Sequence, residues 1–123
     1  MNGQIEIQRP SAIDVARRAV DIASDHQAHD IVLLDVRGIC AYADAFVLAS
    51  AESKRQIKAL IATLDEGLSE SGTKLMHTEG DPESGWVLMD FSDVIIHIFA
   101  PEERDFYDLE RLWRQAIPLL RIQ

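Results

Sequence analysis

Apolar residues recur along this chain with two different periods, and the switches between them mark out its elements. Ser11, with Asp14 three residues on, has the form of a capping box. The apolar positions that follow, Ile13, Ala16, Val20 and Ala23, widened by Val15, Ala19 and Ile22, predict a helix ending between His26 and His29. Residues 30 to 37 and 46 to 50 are short, nearly continuous apolar runs, which predicts two buried strands. Only eight residues, 38 to 45, link them. A parallel pair needs a crossover of about a dozen residues or more, so these strands are antiparallel if they pair.

A second helix is predicted from Ser53, with Ile57, Leu60, Ile61, Leu64 and Leu68 on one side, Lys54, Arg55 and Lys58 on the other, and Gly72 as its stop. Residues 74 to 79 then read as a third strand, reached through a helix and so suited to a right-handed parallel crossover. Asp81, Pro82, Ser84 and Gly85 are turn residues. Two strands joined by a tight turn at Ser92 and Asp93 fill residues 85 to 99. Pro101 breaks the sheet, and Phe106, Leu109, Leu112, Trp113 and Ala116 predict a third helix that Pro118 ends. The order is αββαβββα: one α/β domain of the α+β kind, a mixed five-stranded sheet with helices packed on it, over residues 11 to 117. Residues 1 to 10 are expected to be a flexible start and 118 to 123 a tail.

Length supports this, since 123 residues suffice for one core. Charge adds a direction. Twelve Lys and Arg stand against 21 Asp and Glu, a net charge of -9, which repels a nucleic-acid backbone and favours basic partners. Between Lys74 and Arg104 the imbalance is complete: Glu79, Asp81, Glu83, Asp90, Asp93, Glu102 and Glu103 face no lysine or arginine, only His77 and His97. The lone Cys40 has no partner for an internal disulfide. A polar, mixed-charge start and the shortness of the longest apolar run predict a soluble, cytoplasmic protein without a membrane span.

Candidate chemistry concentrates in residues 85 to 99. Trp86 and Phe91 stand five residues apart, hence on opposite faces of a regular strand, with Leu88 and Asp90 sharing the Trp86 side and Met89 the Phe91 side. An aromatic beside Met or an acid suits a protein interface, and burial of both aromatics is the competing reading. Asp35, Asp90 and Asp93 could converge on a divalent metal and serve a nucleotidyl or phosphoryl transfer. Turn hydrogen bonding, and for Asp35 pairing with Arg37, accounts for them more simply. Nucleotidyltransferase-like sheets share the general architecture but carry two acids on alternate residues of one strand and a Gly-Ser phosphate loop, and neither is present. Dinucleotide, P-loop, zincin and nucleophile-elbow motifs are also absent. His97, within an apolar strand, reads as a satisfied half-buried residue rather than a base. The expectation is therefore of no catalytic residue, no metal and no cofactor.

Several blocks together resemble the ribosomal silencing factor family, also called RsfS or Iojap: DIVLLDVRG at 30 to 38, ADAFVLAS at 43 to 50, RQIKAL at 55 to 60, EG at 79 and 80, GWVLMDFSDVIIHIF at 85 to 99 and YDLERLW at 107 to 113. The likeness runs in order over roughly residues 12 to 113. It implies a non-enzymatic translation regulator that binds the basic fourteenth protein of the large ribosomal subunit, blocks subunit joining and lowers translation when nutrients are scarce. Carried over position by position, it makes Trp86 and Phe91 contacts to that protein, with Asp90, Asp93 and Glu79 as acidic companions. Met89 is added to the expected contacts by strand alternation, because it shares the Phe91 side. Ala45, Ala51 with Glu52, and Ser92 depart from the common family residues, and Ser92 replaces a frequent Gly in the hairpin turn. A hydrophobic hairpin free of its partner is also suited to pairing with its own copy, a homodimer off the ribosome.

Overall fold

The computed structural model describes residues 11–123; the expectation for residues 1 to 10 falls outside them. Helix α1 (Ala12–Asp25) starts where Ser11 Oγ accepts the amide hydrogen of Asp14 at 3.1 Å, and it buries Val15, Ala16, Ala19, Val20, Ile22 and Ala23. Strands β1 (His29–Asp35) and β2 (Ala45–Ser50) pair antiparallel, as the short link requires. Helix α2 (Lys54–Glu70) is capped by Ser53 and buries Ile57, Leu60, Leu64 and Leu68. Strand β3 (His77–Asp81), a 3-10 turn (Pro82–Ser84) and the hairpin β4 (Trp86–Asp90) and β5 (Val94–Phe99) follow.

The sheet order is β3-β4-β5-β2-β1-β6. Strands β2 and β5 lie parallel at its centre and are buried at every position, which is why their sequences are apolar on both alternations. Strand β3 runs parallel to β2 but is not its neighbour, because β4 and β5 stand between them. It also begins at His77 rather than Lys74, with Met76 N still donating to Asp90 O at 2.8 Å.

The C-terminal quarter corrects two expectations. The third helix is divided into α3 (Pro101–Tyr107) and the single turn α4 (Leu109–Leu112) by Asp108 at φ 45°, a left-handed conformation that Asp tolerates better than most residues. With the break, the expected apolar stripe comes apart: Leu109 and Ala116 are buried, while Phe106 and Leu112 are exposed. The sheet then has six strands rather than five. Residues expected to form a tail make β6 (Ile117–Ile122), antiparallel to β1, with Pro118 accommodated at a register shift on the sheet edge where its missing N–H costs no ladder bond to a further strand.

One face of the sheet lies under α1 and α2, and its core includes Ile31, Leu33, Val47, Ile96, Ile98, Val87, Met89 and Phe91. The other face is only partly covered. There Val32, Leu34, Phe46, Leu48, Ile95 and Phe99 meet Leu109, Ala116 and Trp113, while Trp86 and Leu88 sit at the margin of the cluster. No helix among the described residues is long and apolar enough to cross a membrane.

Candidate functional site

Strand alternation decides which residues β4 presents. Trp86, Leu88 and Asp90 point to the partly covered face and are half-buried; Val87, Met89 and Phe91 point to the helices. Trp86 and Phe91 are thus on opposite faces, as their spacing required. Met89 and Phe91, expected among the contact residues, are 0% and 4% exposed beneath α1 and α2. The same pleat that presents Trp86 turns them inward, where they anchor the presenting strand.

Trp86 is held from three sides. Its ring stacks on Phe99 at 5.1 Å, Tyr107 from the end of α3 packs on it at 4.4 Å, and its Nε1–H donates to His97 Nδ1 at 3.2 Å. That bond assigns the lone pair of His97 to Nδ1 and its proton to Nε2. Burial pushes the His97 pKa down to about 4, so the ring is neutral at physiological pH. Its role is to orient the indole, in keeping with a satisfied histidine. Arg104 fixes α3, and hence Tyr107, to the sheet: it is buried, donating to Ser50 Oγ at 2.9 Å and from Nη2 to Glu110 Oε1 at 3.0 Å.

Beside this platform lies an open hollow of about 280 Å³ lined by Glu79, Gly80, Ser84, Trp86, Leu88 and Tyr107. Strand β3 forms its outer wall. Gly80 is required there because it stands at φ 78°, and a Cβ would collide with the backbone carbonyl of Trp86. The rim is acidic. Glu79 is exposed opposite Leu88, and Asp90 is opposite His77, whose Nδ1 and Nε2 lie 3.2 Å from Asp90 Oδ2 and Glu79 Oε2, contacts that become ion pairs when the ring is protonated. Asp90 Oδ1 also accepts from Ser92 N at 2.7 Å, stabilising a turn in which Ser92 takes φ 76°. Asp93 is exposed at the tip of that turn, away from the hollow, and its carbonyl accepts from Asp44 N at 2.8 Å.

The acids proposed as a metal set are not brought together. Asp35 lies in β1 and Asp90 at the end of β4, three strand spacings apart, about 14 Å. Arg37 engages Asp35 with bonds of 2.9 and 2.6 Å, and this hydrogen bonding holds the carboxyl below the usual carboxylate range. Among the described residues no group of three or more His, Cys, Asp or Glu is placed to hold a metal ion. The arrangement is equipped for recognition: an aromatic platform, an apolar floor and an acidic rim. Sequence reasoning did not place Tyr107 or His77 in it. Tyr107 opens the block at 107 to 113, and that block was the available signal.

Comparison with known proteins agrees with this architecture. Residues 9–123 match the family described as ribosomal silencing factor during starvation. The chain is 36% identical over 110 residues to the ribosomal silencing factor RsfS of Bacillus subtilis, covering 89% of this chain and 91% of that one. It is 35% identical over 97 residues to the chloroplastic protein Iojap of Zea mays, 79% of this chain and 42% of that one. A crystal structure of a Chromobacterium violaceum protein superposes with a TM-score of 0.80 at 32% identity, over 85% of this chain and 87% of that one. On the strength of the family match and of these relatives, the chain belongs to the ribosomal silencing factor family.

Proposed function

We propose that this protein represses translation by occlusion: its open sheet face docks on the basic fourteenth protein of the large ribosomal subunit and keeps the small subunit from joining. The observation that carries the proposal is the Trp86 platform, an aromatic left half-buried by an otherwise well-packed sheet and bordered by carboxylates that complement a basic partner. Trp86, Leu88 and Tyr107 supply the apolar contact, with Glu79 and Asp90 as the charged rim and Asp93 further along the same hairpin. Met89 and Phe91 act from below, by holding β4 against the helices. Binding alone produces the effect, with no catalytic step and no cofactor.

Co-sedimentation with purified large subunits tests it. Trp86→Ala removes the anchor and should cost about 2 kcal/mol or more, roughly thirtyfold in Kd. Glu79→Lys, at an exposed position that leaves the core untouched, should slow association and weaken its salt dependence. Wild-type affinity in both variants would overturn the proposal.

A further inference from the structure

Helix α2 carries its charges the wrong way round. Lys54, Arg55 and Lys58 occupy its first two turns, whereas Asp65, Glu66 and Glu70 fall toward its end, with no acid in the first turn and no base in the last. The peptide dipoles of a helix favour the opposite arrangement at both ends. The starts of the other α-helices conform, with Asp14 in the first turn of α1, Glu102 and Glu103 in that of α3 and Glu110 in that of α4. The acidic end of α2, by contrast, has a counterpart in α1, which closes on Asp25 with no base in its last turn. A basic start without an acid, found in α2 alone among the described α-helices, points to cations held for something other than helix stability.

These three cations are a quarter of the twelve in the chain, set within five residues. They line a shallow exposed hollow of about 650 Å³ with Ile61, Ala62, Pro82 and Glu83. Several other arginines are engaged elsewhere: Arg37 by Asp35, Arg104 by Ser50 and Glu110, Arg121 by Glu110. Within the hollow Lys54 Nζ reaches Glu83 Oε2 at 2.6 Å, both side chains exposed, while Glu52 points to His29. The Lys54 contact fixes the location of the patch. Glu83 belongs to the 3-10 turn that leads through Gly85 into Trp86, and β2, which leads into α2, ends at Ser50 opposite Phe99, itself opposite Trp86. The basic patch and the Trp86 hollow therefore share one end of the sheet, on either side of that turn.

We propose that the basic start of α2 contacts the phosphate backbone of ribosomal RNA when the Trp86 face is docked on the large subunit. The inference rests on the docking proposed above. A subunit surface is a mosaic of basic protein and phosphodiester, and this sheet end presents the complement of each: carboxylates around an aromatic, then lysine and arginine. The net charge of -9 keeps the patch from capturing RNA alone. Once the aromatic anchor is seated the second contact is intramolecular, and its effective concentration is high.

The test titrates wild type, Arg55→Gln/Lys58→Gln and Trp86→Ala against purified large subunits at several salt concentrations, and in parallel against the isolated fourteenth protein. Arg55 and Lys58 are exposed, and removing cations from a helix start does not endanger folding. The double variant should bind subunits roughly tenfold more weakly, with a log–log salt dependence shallower by about one to two, and should bind the isolated protein as wild type does. Unchanged subunit affinity and salt slope in the double variant, with Trp86→Ala impaired, overturn this inference and leave the docking proposal standing. Equal losses against subunits and isolated protein also overturn it, by assigning the patch to a protein contact. Failure of wild type to bind either target removes the docking proposal and this one with it.

Discussion

Acidification should destabilise this protein through His97. The side chain is 5% exposed, accepts the indole hydrogen of Trp86, and has its pKa lowered by burial to about 4. In the unfolded chain it would titrate near 6.5. Above that value both states are neutral and the group has no effect on the pH dependence. Between about 6.5 and about 4 the unfolded state binds a proton that the folded state refuses, so stability falls with pH at ~1.4 kcal/mol per pH unit. Below about 4 both states are protonated and the slope from this residue vanishes. The accumulated loss is roughly 3 kcal/mol, a substantial part of the ~5–15 kcal/mol that stabilises an ordinary domain. Urea unfolding followed by circular dichroism, from about pH 7 to about pH 4, measures it against His97→Asn, whose side-chain carbonyl can still accept from Trp86 and does not titrate. Carboxylates contribute equally to both proteins and cancel in the difference. If the stabilities of wild type and variant fall in parallel, His97 does not carry the effect and the assignment of its neutral form is wrong.

Two further outcomes follow from local geometry. Arg104→Met should cost about 2 kcal/mol, because it strands the buried Ser50 hydroxyl and loosens Glu110, which is itself partly exposed and still bound to Arg121; urea unfolding reads this, and a loss below about 0.5 kcal/mol would refute it. Ser92→Gly should raise stability by roughly 0.5 kcal/mol, the relief of ~1 kcal/mol of left-handed strain less the extra chain entropy of glycine; a lowered Tm would show that the Asp90 cap already compensates the strain.

Much of the fold could be read from residue spacing because its central elements bury complete faces. The stripes of α1 and α2 and the unbroken apolar runs of β2 and β5 leave little choice of period or direction, and the eight-residue link made β1 and β2 antiparallel. The C-terminal quarter resisted because two residues act against their usual sense. Asp108 takes a left-handed conformation in the middle of an apparent helical stripe, and Pro118 sits inside an edge strand rather than ending a helix. The site was half legible. Alternation along β4 separated Trp86 from Phe91, but both alternations are apolar, so spacing alone did not say which one faced the open side. Tertiary cover answered that: two long helices shield one face, while two short ones leave β3 exposed and β4 half-covered on the other.

Strand β6 also sets an order of events for the making of this protein. It closes the sheet against β1, although more than eighty residues of chain separate their partners Asp35 and Ile117. A nascent chain that stops short of residue 117 therefore carries β1 as a bare edge, its row of free amides and carbonyls open to any other strand. That edge is covered only when residues 117 to 122 have left the ribosome that is building them, and the edge which replaces it, β6, carries Pro118, whose missing N–H interrupts the row a further strand would need.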